Sequence, residues 1–466
     1  MPHATAQLLF YFILLYNRIL SKPVNQDIST VFRHGTGEGA KPVPHCGPVL
    51  LYRRTPDIDD FKPQNYHIAE KRKKEGNSML KIKTGTSVNP DPRTAGKEAA
   101  TQVKDNLQDM KMAFVYSGVQ YDQKAFLAGI AEELPGVPLI GNTSFTGVMT
   151  QDGFISGEKG FAGIMALSDP DMTVGVYGMA KEGTARETGH KAALKAMEAA
   201  GKDCAPDFFY MSAPSGEEEY YLKGITEVIG RVPMFGGSAA DNTISGEWLI
   251  YTDKIVEPEG VSVAFFYTDK AFANKFTGAY HETANAGIIT RVDGDRTLVE
   301  INGMKAIDQY RQWTGASAED VAGGNLLSYA ICKPLGVKDR LGDLVAIRHP
   351  MNGNDDGSMA IGNNLAVNTA VIQMEASVDE LIGAVGETLE ELKKKISGPI
   401  AGVHLVHCGG RRAGIGDRID EVAGQIKKAI GDIPFITEFT FGEYGYEDDG
   451  NNTCGGLMLS FTAFGA

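Results

Sequence analysis

Apolar and polar positions follow one plan three times along the chain. Ala113 opens AFVYS, a loop leads into YDQKAFLAGIAEEL, and GVPLIGN follows. Phe208 opens FFYMS, followed by SGEEEYYLKGITEVI and RVPMFGG. His404 opens HLVHC, followed by GGRRAGIGDRIDEVAGQIKKAI and DIPFITE. Each copy predicts a strand ending in Ser or Cys, an amphipathic helix, and a second strand entered through a Val-Pro or Ile-Pro pair. Proline is tolerated there because the first residue of a strand can lack a ladder donor. The spacing from Ala113 to Pro138 and from Phe208 to Pro233 is 25 residues, and from His404 to Pro434 it is 30. A further likeness, GFAGIMALSDPD from Gly160 with GVSVAFFYTDKA from Gly260, extends the first two copies. An ordered set of matches of this kind marks an internal repeat.

The helical segments place their apolar residues on one face, as expected of helices packed on a sheet. These are Phe126, Leu127, Ile130 and Leu134 in the first copy, Ile225, Val228 and Ile229 in the second, and Ile419, Val422, Ile426 and Ile430 in the third. Between the second and third copies the pattern changes. TLVEINGMKAIDQYRQ from Thr297 predicts a strand, an Asn-Gly turn and a helix with Ala306, Ile307 and Tyr310 inward. LVAIRH from Leu344, SMAIGN from Ser358 and AVIQMEA from Ala370 predict an antiparallel meander, and Val378–Ile396 a long amphipathic helix. The fold expected is mixed α/β of the α+β class, with repeated strand-helix-strand-strand units flanked by helices and the meander in the C-terminal half. The expected domains are a loosely ordered extension over 1–77, an N-terminal domain over 78–290 and a C-terminal domain over 291–466.

Composition narrows the function. The 466 residues carry a net charge of −14, which argues against a surface that tracks phosphates. The dense basic run Lys71-Arg72-Lys73-Lys74 reads as a solvated tail segment. Five widely spaced cysteines, Cys46, Cys204, Cys332, Cys408 and Cys454, without a CxxC pair, fit free thiols in a reducing compartment and no zinc site. The apolar run Leu8–Tyr16 is too short to span a bilayer and has no Lys or Arg before it. A cytoplasmic protein without stable membrane insertion and without nucleic-acid partners is expected.

Motifs for hydrolysis or nucleotide binding (GxSxG, HExxH, GxxxxGK[ST]) are absent from the sequence, and no GxGxxG follows a predicted strand. The chemistry-bearing residues cluster instead in loops after the repeat strands: Ser212, Ser215, Gly236, Gly237, Ser238, Asp241, Asn242, Cys408, Gly409, Arg411 and Glu443. In open sheets ligands sit beyond the strand ends. Arg411 can clamp a carboxylate and Asp241 can hold an amine, which together suit an amino-acid-like ligand. Cys408, near Arg411 and a helix start, could also act as a nucleophile, which requires a partnered histidine. His281, His349 and His407 stand alone in sequence, and one proximal histidine suffices for haem.

These residues resemble the FIST family over about Met79 to Gly465. The likeness is carried by Leu80–Ala100, Val137–Gly141 and Met234–Ala239 in one half, and by Val299–Gly303, Cys408–Arg411, Phe441–Glu443 and Asn452-Thr453 in the other. The resemblance implies a non-catalytic intracellular sensor of a small ligand, with no cofactor required, although some members bind haem and sense nitric oxide. No output module follows the last predicted strand, so signalling through a separate protein such as a histidine kinase is implied. The family has no agreed catalytic residues, and none are assigned. An enzyme using Cys408 and a haem-based nitric oxide sensor remain the alternatives.

Overall fold

A computed structural model describes residues 78–105, 107–338, 343–448 and 450–466. The expected extension, with Leu8–Tyr16, Cys46 and the basic run Lys71–Lys74, lies outside the described residues. Among the described residues no helix is long and apolar enough to cross a membrane.

The first repeat comprises β1 (Lys81–Ser87), α1 (Pro92–Lys104), β2 (Met110–Ser117), α2 (Gln123–Glu133), β3 (Leu139–Thr143), a hairpin β4 (Val148–Thr150) and β5 (Gly153–Ile155), and β6 (Ala162–Ser168). The second repeats that order with β7 (Thr173–Ala180), α3 (Ala185–Ala200), β8 (Phe208–Ala213), α4 (Glu218–Ile229), β9 (Met234–Ser238), β10 (Ile250–Thr252), β11 (Val256–Glu257) and β12 (Gly260–Tyr267).

The third repeat opens with β13 (Phe272–Thr277) and is then interrupted by an insertion. The insertion contains β14 (His281–Asp293), β15 (Thr297–Ile301), β16 (Met304–Lys305), α5 (Ala306–Thr314), α6 (Asn325–Tyr329), β17 (Leu335–Lys338), β18 (Val345–Arg348), β19 (Pro350–Gly353), β20 (Met359–Ile361) and β21 (Ala370–Glu375). The repeat resumes with α7 (Val378–Lys395), β22 (Ile400–Cys408), α8 (Gly409–Ile415), α9 (Ile419–Ile430), β23 (Phe435–Thr440), β24 (Glu443–Gly445), β25 (Thr453–Gly455) and β26 (Leu459–Gly465).

Strand order makes the repetition explicit. The three sheets run β1-β6-β2-β3, β7-β12-β8-β9 and β13-β26-β22-β23, with the central pairs β2/β3, β8/β9 and β22/β23 parallel. Each sheet is then completed by a hairpin from another repeat: β10-β11 on β3, β24-β25 on β9, and β4-β5 on β23. The exchange is cyclic, so the β3, β9 and β23 edges are each covered by a neighbouring repeat's hairpin.

The register corrects the sequence alignment. Ala113 N–H donates to the Pro138 carbonyl at 2.9 Å, Phe209 to Pro233 at 3.0 Å and Val403 to Pro434 at 2.9 Å. Ala113, Phe209 and Val403 are therefore equivalent, one residue away from the expected pairing of Ala113 with Phe208 and His404. In a strand, a one-residue shift exchanges faces. The corrected register stacks Phe114, Tyr210 and His404 around one point, with ring centroids 5.1, 4.7 and 5.7 Å apart.

Helix pairs cover the outer faces. Asp91 caps α1 through Thr94 N–H, Thr184 and Glu187 form a capping box on α3, and Ser377 and Glu380 form another on α7. The α1–α2 and α3–α4 crossings use reciprocal glycines. A Cβ on Gly96 would stand 2.2 Å from the Phe126 carbonyl and one on Gly129 2.0 Å from that of Arg93; for Gly189 and Gly224 the distances are 2.2 and 1.9 Å, to Tyr221 and Arg186. These backbones touch directly, which only glycine permits. The third helical segment breaks at Gly416 (φ +60°), so α8 and α9 form where one helix is expected.

In the insertion, Asn302 and Gly303 both have positive φ in the turn between β15 and β16. The expected meander strands are present as β18, β20 and β21, all antiparallel, but in the order β18-β17-β21-β14-β15-β20-β19. A single residue, His349, separates β18 and β19, the two ends of that sheet, so the sheet curls into a nearly closed barrel. The expected division at 290/291 falls inside β14, a continuous strand; the insertion starts and ends within the third repeat.

Candidate functional site

A cavity of about 430 Å³ lies where the inserted barrel meets the loops after β8, β9, β22 and β23. Its walls are chiefly apolar: Trp248, Leu327, Ile331, Met351, Phe441 and Leu457. Trp248 and Phe441 meet edge-to-face, with centroids 5.9 Å apart at 86°. The size and lining match those of small-molecule sites. A second recess of about 440 Å³ shares Ser215 and Trp248 with it. That recess is lined by Lys181, Glu217, Glu257 and Glu259 and is more open and more polar, and Lys181 is paired with Glu217.

Polar groups punctuate the apolar cavity. Arg296, on the turn between β14 and β15, reaches back to α4. Its Nη2 lies 2.9 Å from Glu218 Oε2 and 2.6 Å from Glu219 Oε2, Nε donates to Asn364 Oδ1 at 2.8 Å, and Nη1 donates to the Gly362 carbonyl at 2.7 Å. Burial disfavours the Arg296 charge, but the two carboxylates more than offset this and hold it above the usual guanidinium value. Glu218 is pushed up to about 7 by burial and by the Glu219 charge, with Arg296 opposing. Asn363 Nδ2 donates to Glu219 Oε1 at 3.3 Å, while its Oδ1 has no partner. His349 donates from Nε2 to the Leu327 carbonyl at 2.9 Å, and burial lowers its ring to about 4, so it is neutral at physiological pH.

Cys408 Sγ accepts from Gly410 N–H at 3.2 Å. Burial, with the Glu443 carboxyl next in weight, raises its thiol well above the ordinary range. Glu443 is itself raised to about 8 by burial; its oxygens accept from Thr440 Oγ1 and from Met458 N–H, each at 2.8 Å. His407 Nδ1 donates to the Cys408 carbonyl at 3.0 Å and its Nε2 has no partner, so its ring makes no hydrogen bond to the thiol.

A second polar cluster is sealed where the three repeats meet. Tyr116 Oη lies 2.5 Å from His404 Nε2 and 3.2 Å from Tyr210 Oη. Tyr210 Oη donates to Glu438 Oε1 at 3.2 Å, and Asn142 Nδ2 donates to Glu438 Oε2 at 2.8 Å and to Ser212 Oγ at 3.0 Å. Burial raises Glu438 to about 7, against the hydrogen bonds from Asn142, Tyr116 and Tyr210, and lowers His404 to about 3. All of these side chains are fully buried.

Of the residues expected to gather around a ligand, Ser215, Cys408 and Gly409 line the cavity. Ser212 belongs to the sealed cluster. Gly236 and Gly237 are strand positions; a Cβ on Gly236 (φ +140°) would stand 1.9 Å from the Met211 carbonyl. Ser238 Oγ meets Tyr444 Oη at 2.7 Å, and Asn242 Oδ1 accepts from Thr146 N–H at 2.8 Å. The Asp241 carboxylate accepts from the N–H groups of Thr243, Ser245, Gly246 and Glu247, so it organises its own loop. Arg411 is fully buried, donating to the carbonyls of Gly278 at 2.7 Å and Leu381 at 3.0 Å. Neither the proposed carboxylate clamp nor its amine partner borders the cavity, because backbone groups occupy both. Glu443 likewise spends its carboxyl internally.

Sequence reasoning missed Trp248, Arg296, Leu327 and Asn363. Most of the missed wall comes from the insertion, which has no repeat to mark it. His349 was visible only as a solitary histidine.

Residues 111–304 match the family model FIST N domain and residues 306–446 the model FIST C domain. The chain belongs to the FIST family. FIST domains are sensory domains that bind small ligands. No curated protein matches this FIST chain. Among solved structures, a cyanuric acid hydrolase from A. caulinodans is 10% identical, covering 83% of this chain and 100% of its own, with a TM-score of 0.32. Phosphoribosylformylglycinamidine synthase II from Thermotoga maritima is 10% identical, covering 83% of this chain and 72% of its own, with a TM-score of 0.20. Likeness at this level carries no argument about activity.

Of the described histidines, His349 borders the cavity; its Nε2 donates to the Leu327 carbonyl, so Nδ1 is the nitrogen that would hold the haem that the family resemblance implies for some members, whereas His404 and His407 lie in β22 outside the lining. Among the described residues no group of three or more His, Cys, Asp or Glu side chains is placed to hold a metal ion.

Proposed function

We propose that this FIST chain is a non-catalytic cytoplasmic sensor whose small ligand occupies the cavity between the inserted barrel and the repeat loops. The observation that carries this reading is the cavity itself: it is recessed, largely apolar and walled by two structural elements at once. A ligand there contacts both, so its binding stabilises one arrangement of barrel and loops over others. The message then passes to a separate protein, a histidine kinase being the class that the family resemblance implies.

The chemistry of Cys408 supports a binding role over a catalytic one. A nucleophilic thiol needs a depressed pKa or a hydrogen-bonded base, whereas burial raises this thiol and the neighbouring histidine is bonded elsewhere.

The test is a melting-shift screen over amino acids, small acids and apolar ring compounds, repeated on Ala413→Trp. Ala413 is exposed on α8 and borders the cavity, so the larger side chain fills it without disturbing the core. A ligand at 100 times its Kd adds about 2.7 kcal/mol to stability. The expected result is stabilisation of the native sequence that Ala413→Trp abolishes. Stabilisation that persists unchanged in Ala413→Trp removes the cavity as the site.

A further inference from the structure

Asn363 is 1% exposed, borders the cavity and has an amide oxygen without a hydrogen-bond partner. Its orientation is fixed by the other end of the amide. Nδ2 donates to Glu219 Oε1, and a flip would set two acceptors against each other. Oδ1 therefore faces Gly456, 3.4 Å from where a Cβ on that glycine would stand, and Gly456 also borders the cavity. A buried carbonyl left without a donor is costly; Oδ1 has no surface open to water, so a donor in the cavity reaches it through a small shift of Asn363 or Gly456 at the cavity edge, and such a donor relieves that cost.

The charge on the wall points the same way. Arg296 is the charged side chain in the lining, and it faces both Glu218 and Glu219. Its remaining nitrogens serve Asn364 and the Gly362 carbonyl. No surplus positive charge is left to hold an anion, and a ligand carboxylate near Asn363 would meet an oxygen lone pair.

We infer that the cavity takes an apolar, ring-sized molecule bearing an N–H or O–H donor, accepted by Asn363 Oδ1, and that it discriminates against carboxylates. This rests on the reading of the cavity as the ligand site and names its specificity. Trp248 and Phe441 supply the ring-binding wall, and Asn363 supplies orientation. A site with a buried acceptor that is otherwise unpaired rejects an isostere that lacks the donor.

The experiment uses three probes in calorimetry with the full chain: indole, its isostere benzofuran, which has no donor, and indole-3-carboxylate, which keeps the donor and adds a charge. Indole is expected to bind roughly 5- to 10-fold more tightly than benzofuran, the size of one neutral hydrogen bond, and indole-3-carboxylate more weakly than indole. Asn363→Ala should bring indole and benzofuran to near equality. Because that change also releases Glu219, Gly456→Ala is the second variant; its methyl crowds Oδ1 and should weaken indole more than benzofuran. Equal binding of indole and benzofuran by the native sequence, with both lost in Ala413→Trp, would overturn the donor inference and leave the cavity reading standing. Binding untouched by Ala413→Trp overturns both. Absence of binding by all three probes overturns the inference.

Discussion

Replacing Arg411 separates a structural role from a ligand-binding one. The guanidinium is fully buried and ties together parts of the chain distant in sequence: the Gly278 carbonyl just before the insertion and the Leu381 carbonyl in α7. It also stacks over Tyr280 at 5.6 Å, and its Nε has no partner. Two hydrogen bonds from a charged donor contribute about 1.5 kcal/mol each at the low end of their range. Truncation to Ala adds a cavity in a well-packed region, for a further 1–2 kcal/mol or so. Relief of burying a cation offsets part of this. Arg411→Ala should therefore lose about 4 kcal/mol, and Arg411→Met, which keeps the volume and discards the charge, about 2 kcal/mol. Guanidinium chloride unfolding followed by circular dichroism reads the difference. The reasoning is refuted if Arg411→Ala lies within about 0.5 kcal/mol of the native sequence, the scatter of ordinary surface changes. Unchanged stability together with lost ligand affinity would restore the carboxylate clamp.

Glu438 makes stability depend on pH. Its folded value of about 7 lies above the unfolded 4.5, so the folded protein keeps a proton that the unfolded chain releases across that window. The associated stability is fully present below pH 4.5 and is lost as pH rises through 7, by about 3 kcal/mol in total. Glu438→Gln should flatten the fall between pH 5 and 7 in denaturant titrations; an identical slope would contradict the burial argument. The thiols give a simpler readout. With Cys46 replaced by Ser, a disulfide reagent should label exposed Cys204 rapidly in the native protein and leave buried Cys408 and Cys454 unlabelled until unfolding. Rapid native labelling at Cys408 would revive the nucleophile reading.

The sequence alone determined the repeat, because each copy must bury an amphipathic helix on a sheet and enter its second strand through proline. Phe126, Ile225 and Ile426 could be assigned to the core from a 3.6-residue period without knowing the neighbours. The Asn302-Gly303 turn was legible for the same local reason, since its positive φ angles call for those residue types. Tertiary structure decided everything that depends on which repeat meets which. The cyclic exchange of hairpins leaves no trace in periodicity, because a short strand looks the same whichever edge it pairs with. The one-residue register shift that brings Phe114, Tyr210 and His404 together was set by hydrogen bonds to the proline carbonyls. Arg411 and Asp241 look like free charged groups in a loop-rich sequence, and only folding supplied the carbonyls and N–H groups that occupy them. Asn363 and Trp248 are unremarkable in sequence. They became the wall of a cavity because the barrel, closed through His349, is folded against loops drawn from other parts of the chain.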